Sequence, residues 1–421
     1  MKRLWLSSVS PSPTSKLTNK LLFYKGNAGI QVAFPFLSCF QKKEFSMDIS
    51  KRNSALDITR IVALFSVISV HFFLNNGFYQ QPMLGGRMCV MTIMRTGFMV
   101  CVPLFLTLTG YLMNKKTLSA KYYKGITKTL GIYILASIAC LVYKVIVFHH
   151  KITLDNTLWG ILGFRTANYS WYIEMYIGLF LLIPFVNLIW NNLPSKRAKL
   201  ALVVTLVCLT SLPTMTNVYN FEVSGWWKTP YLSTEYRQIL PDWWTKLYPL
   251  TYYFLGAFLR EFPLKLKQWQ KIAIYFACVV LFGLFNYYRS WGGYFSWVSY
   301  NDWRGLPNVI MTFFLFSFLS SINTDGYPVW LKRGLMIASD CCLAGYLVSY
   351  IFDNLLYAEL NSHVEEMIYR LEWYPLIVPA VFICSLLLSF VLNLIYNGIA
   401  AGVKLITAKV KAAGERQLVN K

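Results

Sequence analysis

The stretch LDITRIVALFSVISVHFFL, residues 56–74, decides how the rest of the chain is interpreted. It is apolar and close to the roughly 20 helical residues that cross a bilayer, yet it carries Asp57, Arg60 and His71. Ionisable side chains at membrane depth are costly, so they indicate a functional site. Arg60 and His71 are separated by about three helical turns, so their side chains should face the same way about 16 Å apart. Asp57 lies one turn before Arg60 and shares that face.

The composition of the whole chain indicates a membrane protein. Of its 421 residues, 56% are hydrophobic and only 14% are charged, whereas a soluble protein carries about 25% charged residues. A net charge of +22 would suggest nucleic-acid binding in a soluble protein. Here Lys and Arg fall mostly in short loops between apolar runs, so we expect a lipid bilayer as partner and no nucleic acid. The nine cysteines have neither a disulfide framework nor metal-ligand spacing, so no metal site is expected.

Successive apolar runs predict an all-α fold, a polytopic membrane bundle of ten transmembrane helices. The runs cover about 56–74, 88–113, 126–148, 171–190, 199–213, 246–260, 270–288, 305–322, 335–357 and 374–397. Loops assigned to the inside are rich in Lys and Arg, and loops assigned to the outside hold more acids. All five return loops agree with the positive-inside rule. Both termini are therefore expected in the cytoplasm.

Composition divides the chain into three segments. Residues 1–46 contain one acid, Glu44, and make a poor spanning helix and a poor signal peptide. They are either a poorly ordered tail or a mis-called extension ahead of a start at Met47. Residues 47–400 form the membrane domain, and residues 401–421 form a basic cytoplasmic tail.

Two predicted outer segments, 214–245 and 287–303, are unusually aromatic. The first contains the pairs Trp226–Trp227 and Trp243–Trp244, and the second contains Trp291, Trp297 and Trp303 among several tyrosines. One interpretation is the aromatic belt found at membrane interfaces. The other is a platform for a sugar or a lipid-linked acceptor, because aromatic faces pack on apolar sugar faces.

The ionisable residues of the first run suggest acid–base chemistry. A neutral His71 can take a proton from a hydroxyl and return one later. Arg60 stays charged and can hold a phosphate, a thioester oxygen or a carboxylate, while Asp57 can neutralise it. The alternative for His71 is a structural hydrogen bond to a neighbouring helix.

At these residues the sequence resembles the acyltransferase-3 family of integral membrane O-acyltransferases. Its opening signature, a basic residue followed by ten residues and a His, is matched by Arg60 and His71. Further segments similar to the family are VPLFLTLTGYL (102–112), WYIEMYIGLFLLIP (171–184) and YFLGAFL (253–259). Four pieces in the right order, with ten expected spans, cover about residues 50–400.

The resemblance implies transfer of an acyl group, usually acetyl, from acetyl-coenzyme A to a carbohydrate hydroxyl. The donor is a co-substrate on the cytoplasmic side, no cofactor is bound, and the acceptor is a cell-surface polysaccharide, a lipid-linked glycan or a similar exported carbohydrate. The expected location is a bacterial cytoplasmic membrane. His71, Arg60 and Asp57 are the catalytic candidates. The candidates for binding substrate or donor are Arg95, Glu174, Trp171, Tyr172, Ser339 and Tyr346.

Some assignments stay open at this point. Near the ninth run the family often ends its segment with a His, which is absent from SDCCLAGYLVSY (339–350), although Tyr350 is nearby. Arg95 either binds a phosphate of coenzyme A, pairs with Glu174 or anchors the chain at the interface. Glu174 either polarises His71, binds a sugar hydroxyl or makes a structural hydrogen bond.

Two rival functions are compatible with the pattern. A polytopic exporter of a glycan or acylated precursor would also have many spans and a buried charged stripe. A structural membrane protein would leave Asp57, Arg60 and His71 without a purpose. For an acyltransferase, both direct transfer and an acetyl-His71 intermediate fit the residues.

Overall fold

The structure is a computed structural model that describes residues 52–149, 151–220 and 236–419, together with residues 222, 225, 228 and 231. The segment 1–46 and the pair Trp226–Trp227 lie outside the described residues. Within the described ranges the regular elements are helices. Two isolated bridges, Pro82 with Tyr294 and Met83 with Trp291, are the β-type pairings there.

The main helices are numbered here in chain order. Their bounds are α1 Ser54–Asn75, α2 Gly85–Phe98, α3 Cys101–Met113, α4 Ile126–Phe148, α5 Leu154–Leu162, α6 Trp171–Asn192, α7 Lys196–Thr210, α8 Tyr248–Glu261, α9 Gln268–Ser290, α10 Leu306–Leu319, α11 Val329–Phe352, α12 Ala358–His363 and α13 Tyr374–Val419. A π-helical turn, Asp353–Tyr357, joins α11 to α12.

Helices occupy all ten predicted ranges, with the second range divided into α2 and α3. Among the described residues, seven spans are long and apolar enough to cross a membrane, counting α2–α3 and α11–α12 as one each. The chain is thus all-helical in its described part, with the character of a multi-pass membrane protein. The helices α7, α8 and α10 have 14 or 15 residues, which is about 22 Å at 1.5 Å per residue. The total of ten spans and the cytoplasmic location of both termini therefore remain predictions.

Helix α1 lies at the centre of the bundle and packs against α2, α3, α11 and α13. Its first turn is set by Asn53, whose side chain accepts a hydrogen bond from the backbone N–H of Ala55, the usual way to satisfy a free helix N-terminus. Helix α11 runs parallel to α1. Residues near its middle contact the beginning of α1, and Asp353, directly after its end, contacts His71.

The close crossing of α3 and α8 depends on two glycines. A Cβ atom added at Gly110 would lie 1.8 Å from the carbonyl oxygen of Tyr253, and one added at Gly256 would lie 1.9 Å from that of Thr107. Only hydrogen fits at both positions. This contact fixes the position of α3, against which α1 packs.

Four loops that contain or adjoin basic residues, 114–125, 193–195, 262–267 and 320–328, meet at the end of the bundle where Arg60 lies, which we call the Arg60 end. The opposite end, where α1 finishes, is the His71 end. The Lys115 side chain donates to Asn191, Lys199 pairs with Glu261, and Gln268 donates to the carbonyl oxygen of Ser321. Every second loop of this part of the chain therefore lies at the Arg60 end, as the charge pattern of the sequence predicts.

Candidate active site

An ion cluster occupies the Arg60 end of α1. Asp57 is buried and accepts hydrogen bonds from both Arg52 and Arg60, with Nη2 of Arg52 2.8 Å and Nη1 of Arg60 3.1 Å from its Oδ1. Arg52 also bridges to Asp340 on α11 at 2.7 Å, and Arg60 donates to Oγ of Ser339 at 3.2 Å. Asp57 therefore neutralises basic side chains and helps to tie α1 to α11.

The charges of this cluster support one another. Burial works against the charge of Arg52, but hydrogen bonds to Asp57 and Asp340, with their negative charges, outweigh it and raise the pKa of Arg52 above its ordinary value. Arg60 keeps 29% of its side chain exposed. Its guanidinium group is thus held in place while part of it stays available to a ligand.

A cavity of about 690 Å³ begins at this cluster and leads into the bundle. Its polar part is formed by Arg52, Asp57, Arg60, Lys128 and Asp340, with Ser339, Asn53, Thr129 and Asn393 nearby. Its apolar and aromatic part includes Val67, Val102, Phe105, Ile132, Tyr172, Tyr176 and Tyr346. The cavity therefore offers a charged mouth followed by an apolar channel along the side of α1.

His71 lies beyond the deep end of the cavity, next to a buried carboxylate. Its Nδ1 atom is 2.9 Å from Oδ2 of Asp353, in a close contact whose angle is not that of an aligned hydrogen bond. The Asp353 side chain is fully buried, whereas the His71 side chain is 10% exposed. A carboxylate beside Nδ1 favours the tautomer with its proton there, which leaves Nε2 free to act as a base.

Tyr169 completes this group. Its hydroxyl donates to the same Oδ2 atom of Asp353 at 2.8 Å, and its ring lies 3.9 Å from the His71 ring, centroid to centroid. Burial raises the pKa of Tyr169 well above its ordinary value, and the nearby Asp353 raises it further. The hydroxyl therefore stays protonated and serves as a donor that orients the carboxylate.

None of the three candidates from the WYIEMYIGLFLLIP segment is the partner of His71. Trp171 stacks on Trp303 with ring centroids 4.5 Å apart, and Tyr172 lines the cavity. Glu174 is exposed, and the carboxylate beside His71 is that of Asp353 instead. That alternative was wrong, because the first turn of α6 turns Glu174 outward while it buries Tyr172 and Ile173.

Arg95 is also placed differently from the alternatives that assigned it to the donor or to Glu174. It is fully buried in α2. Its Nε donates to the Tyr79 hydroxyl and its Nη1 to the carbonyl oxygen of Asn301, and the guanidinium carbon lies 4.5 Å from the Phe295 ring centroid. These partners belong to loops of the His71 end, because α2 starts there and Arg95 points back toward its start. Arg95 anchors a loop of the His71 end and does not line the cavity.

Asp353 and Tyr169 are site residues that the sequence did not single out. Asp353 falls inside the ninth apolar run, so the same rule that singled out Asp57, Arg60 and His71 would have found it. The π-helical turn that begins at Asp353 gives no comparable signal in the sequence, although such turns are frequent at functional sites. Tyr169 lies in a predicted loop, where nothing distinguishes it from the other tyrosines.

The chain is similar to a known family of proteins. The chain matches the family model for the acyltransferase-3 group, described as an acyltransferase domain, over residues 53–394. There is no significant match to a curated protein or to a solved structure. The matched range begins at Asn53, the cap of α1, and includes the His71–Asp353 contact and, apart from Arg52, the residues of the ion cluster and the cavity. The chain therefore belongs to the acyltransferase-3 family of membrane acyltransferases.

Proposed function

We propose that the protein moves an acyl group, most simply acetyl, from acyl-coenzyme A on the cytoplasmic side to a hydroxyl of a cell-surface or exported carbohydrate. The observation that carries the proposal is the cavity that joins a basic mouth to the neighbourhood of His71. A donor with a phosphate-bearing head and a long apolar arm matches that gradient. The proposed location is the bacterial cytoplasmic membrane, with the Arg60 end inside.

The head of the donor would bind at the mouth of the cavity. Arg52, Arg60 and Lys128 face it together with Asp57 and Asp340, and Lys128 has no acidic partner among the described residues. Guanidinium groups bind phosphates with two parallel hydrogen bonds, so Arg60 suits this role. Arg60 lies about 16 Å from His71 along α1, too far to stabilise charge at the reacting carbonyl, so its role is to position the donor.

The chemistry would take place at His71. Its Nε2 removes the proton from the acceptor hydroxyl as the oxygen attacks the thioester carbonyl. The new C–O bond forms and the C–S bond breaks. His71 then gives its proton to the sulfur, so coenzyme A leaves as the free thiol. Asp353 stabilises the imidazolium during the step, and Tyr169 holds Asp353 in place. An acetyl-His71 intermediate would use the same groups and would produce ping-pong kinetics.

The acceptor would approach from the His71 end. That end carries many aromatic side chains, including Trp171 stacked on Trp303 and Tyr79 stacked on Trp297. Such faces suit carbohydrate rings. Polysaccharide modification in the cell envelope is the activity that fits a donor inside and an acceptor outside.

The direct test uses the purified full-length protein in lipid nanodiscs with acetyl-coenzyme A and glycan extracted from the producing cells. We expect release of free coenzyme A thiol that depends on the glycan, and an acetylated product by mass spectrometry. His71→Ala should abolish both while its thermal unfolding matches that of the wild type. If the wild type releases no more thiol than His71→Ala, the acyltransfer proposal is wrong and export becomes the better explanation.

A further inference from the structure

The cavity stops short of His71. Val67, Tyr172 and Tyr346 belong to its wall, whereas His71 does not. On α1, His71 follows Val67 by one turn, so it lies about 6 Å farther along the helix on the same side. A thioester that fills the cavity would therefore come near His71 without reaching it.

Tyr346 stands at this boundary. It is 5% exposed, its ring centroid lies 5.9 Å from that of Tyr172 and 6.2 Å from that of Tyr169, and its hydroxyl donates to the backbone carbonyl oxygen of Tyr169. The ring of Tyr169 in turn lies against His71. A continuous series of rings thus separates the cavity from the imidazole.

This separation has a chemical consequence, which rests on the proposed function. The thioester in the cavity is a reactive group, and His71 faces the side from which water and acceptor enter. If the two compartments were joined, a water oxygen could attack the thioester carbonyl, and cleavage of the C–S bond would give acetate and free coenzyme A. Enclosing reactive intermediates is how active sites prevent such side reactions.

We propose that Tyr346 is a gate between the donor cavity and His71. In the closed position its hydroxyl holds the Tyr169 carbonyl oxygen and its ring covers the deep end of the cavity. Acyl transfer requires the Tyr346 side chain to turn away. In the closed position, water cannot reach the thioester in the cavity. Tyr346 is a positioning residue in this account and does not exchange a proton with the substrate.

The first test measures coenzyme A release without acceptor in Tyr346→Ala and Tyr346→Phe. Loss of the ring should raise this uncoupled release about tenfold, and loss of the hydroxyl alone should raise it less. Tyr350→Ala is the matched control, because Tyr350 also packs on Tyr169, at 5.9 Å, but does not line the cavity. It should leave uncoupled release near the wild-type level. Unchanged release in a folded Tyr346→Ala protein would overturn the gate.

The second test is independent of any enzymatic activity. A cysteine is placed in the cavity as Val67→Cys, with the native cysteines replaced, and a membrane-impermeant maleimide is added to intact cells. With Tyr346 present the reagent should not react, whereas with Tyr346→Ala or Tyr346→Phe it should. In opened membranes both proteins should react, since the mouth of the cavity is then accessible. Reaction in intact cells with Tyr346 in place would contradict the gate even if the acyltransferase activity is confirmed.

Discussion

At the scale of single residues, Tyr169 is the side chain that touches both members of the His71–Asp353 pair. Tyr169→Phe keeps the ring against His71 but removes the hydrogen bond to Asp353. Hydrogen bonds to charged groups contribute about 1.5–3 kcal/mol, so we expect kcat to fall at least about tenfold. The KM for acyl-coenzyme A should stay close to the wild-type value.

The control for this prediction is Tyr133→Phe. That substitution also removes a tyrosine hydroxyl that donates a hydrogen bond, in this case to the backbone carbonyl oxygen of Ile161 and not to a carboxylate beside His71. Steady-state kinetics of both variants in nanodiscs would show whether the effect is specific. Equal losses in the two variants would point to general destabilisation and would count against the orienting role of Tyr169.

The sequence allowed part of this site to be predicted. The shared face of Asp57, Arg60 and His71 followed from helical periodicity, and the structure places Asp57 in contact with Arg60. The partner of His71 did not follow, because the contact with Asp353 joins residues 282 positions apart in the chain and depends on how α1 and α11 pack. Local sequence patterns do not determine which residues of α1 and α11 lie opposite each other.

At the scale of helices, the α3–α8 crossing is the contact most sensitive to an added methyl group. Gly110→Ala would force a Cβ atom to within 1.8 Å of the Tyr253 carbonyl oxygen. Overpacking of this kind costs about 1–3 kcal/mol, so the thermal unfolding temperature in detergent should fall. Gly334→Ala is the matched control, since nothing lies within 4 Å of a Cβ atom there, and it should unfold no earlier than the wild type.

The end of α8 provides a pH-dependent contact. Burial disfavours the charge of Glu261, but hydrogen bonds from Lys199, Trp190 and Lys115 outweigh it and lower the pKa of Glu261 below its ordinary value of 4.5. Because the folded-state pKa is the lower one, the stabilisation is present above pH 4.5 and is lost as the pH falls through the folded-state value. Thermal unfolding from pH 7 to pH 3 should show this loss in the wild type.

The variant that isolates this effect is Glu261→Gln. Its unfolding temperature should already be lower at neutral pH, and the difference from the wild type should shrink as the pH falls below 4.5. A difference that stays constant over the whole range would mean that Glu261 does not stabilise the α8 end through its charge.

The helices themselves were largely predictable, and their interruptions were less so. Apolar runs of about 20 residues placed α1, α4, α6 and α9 because hydrophobic length is a strong signal. The break between α2 and α3 at Met99–Val100 lies four residues before Pro103, whose ring and missing N–H disfavour a continuous helix there. The π-helical turn after α11 has no such Pro signal. The short helices α7, α8 and α10 were the hardest to judge by length.

At the scale of the whole molecule, the two ends of the bundle should face different compartments. We predict that Lys265→Cys, in a basic loop of the Arg60 end, is protected from an impermeant maleimide in intact cells, and that Glu365→Cys is labelled. The reason is the retention of Lys-rich and Arg-rich loops in the cytoplasm. Labelling of Lys265→Cys from outside would reverse the proposed orientation.

The parallel course of α1 and α11 divides the site between those two ends. At the Arg60 end, α1 contributes Arg60 and α11 contributes Ser339. At the His71 end, α1 contributes His71, and Asp353 directly follows α11. About three turns of α1 separate Arg60 from His71. In the proposed function, binding of the donor head and chemistry at the thioester are thus tasks of different residues, although the same pair of helices supports both.

The measurement that tests this division most directly is steady-state acyl transfer by Asp353→Asn and Arg60→Ala, compared with the wild type. Asp353→Asn should lower kcat about 100-fold or more, since a positioned base contributes about 10²–10⁴, and should leave the KM for acyl-coenzyme A nearly unchanged. Arg60→Ala should raise that KM about tenfold or more with a smaller effect on kcat. A wild-type kcat in Asp353→Asn would contradict the account.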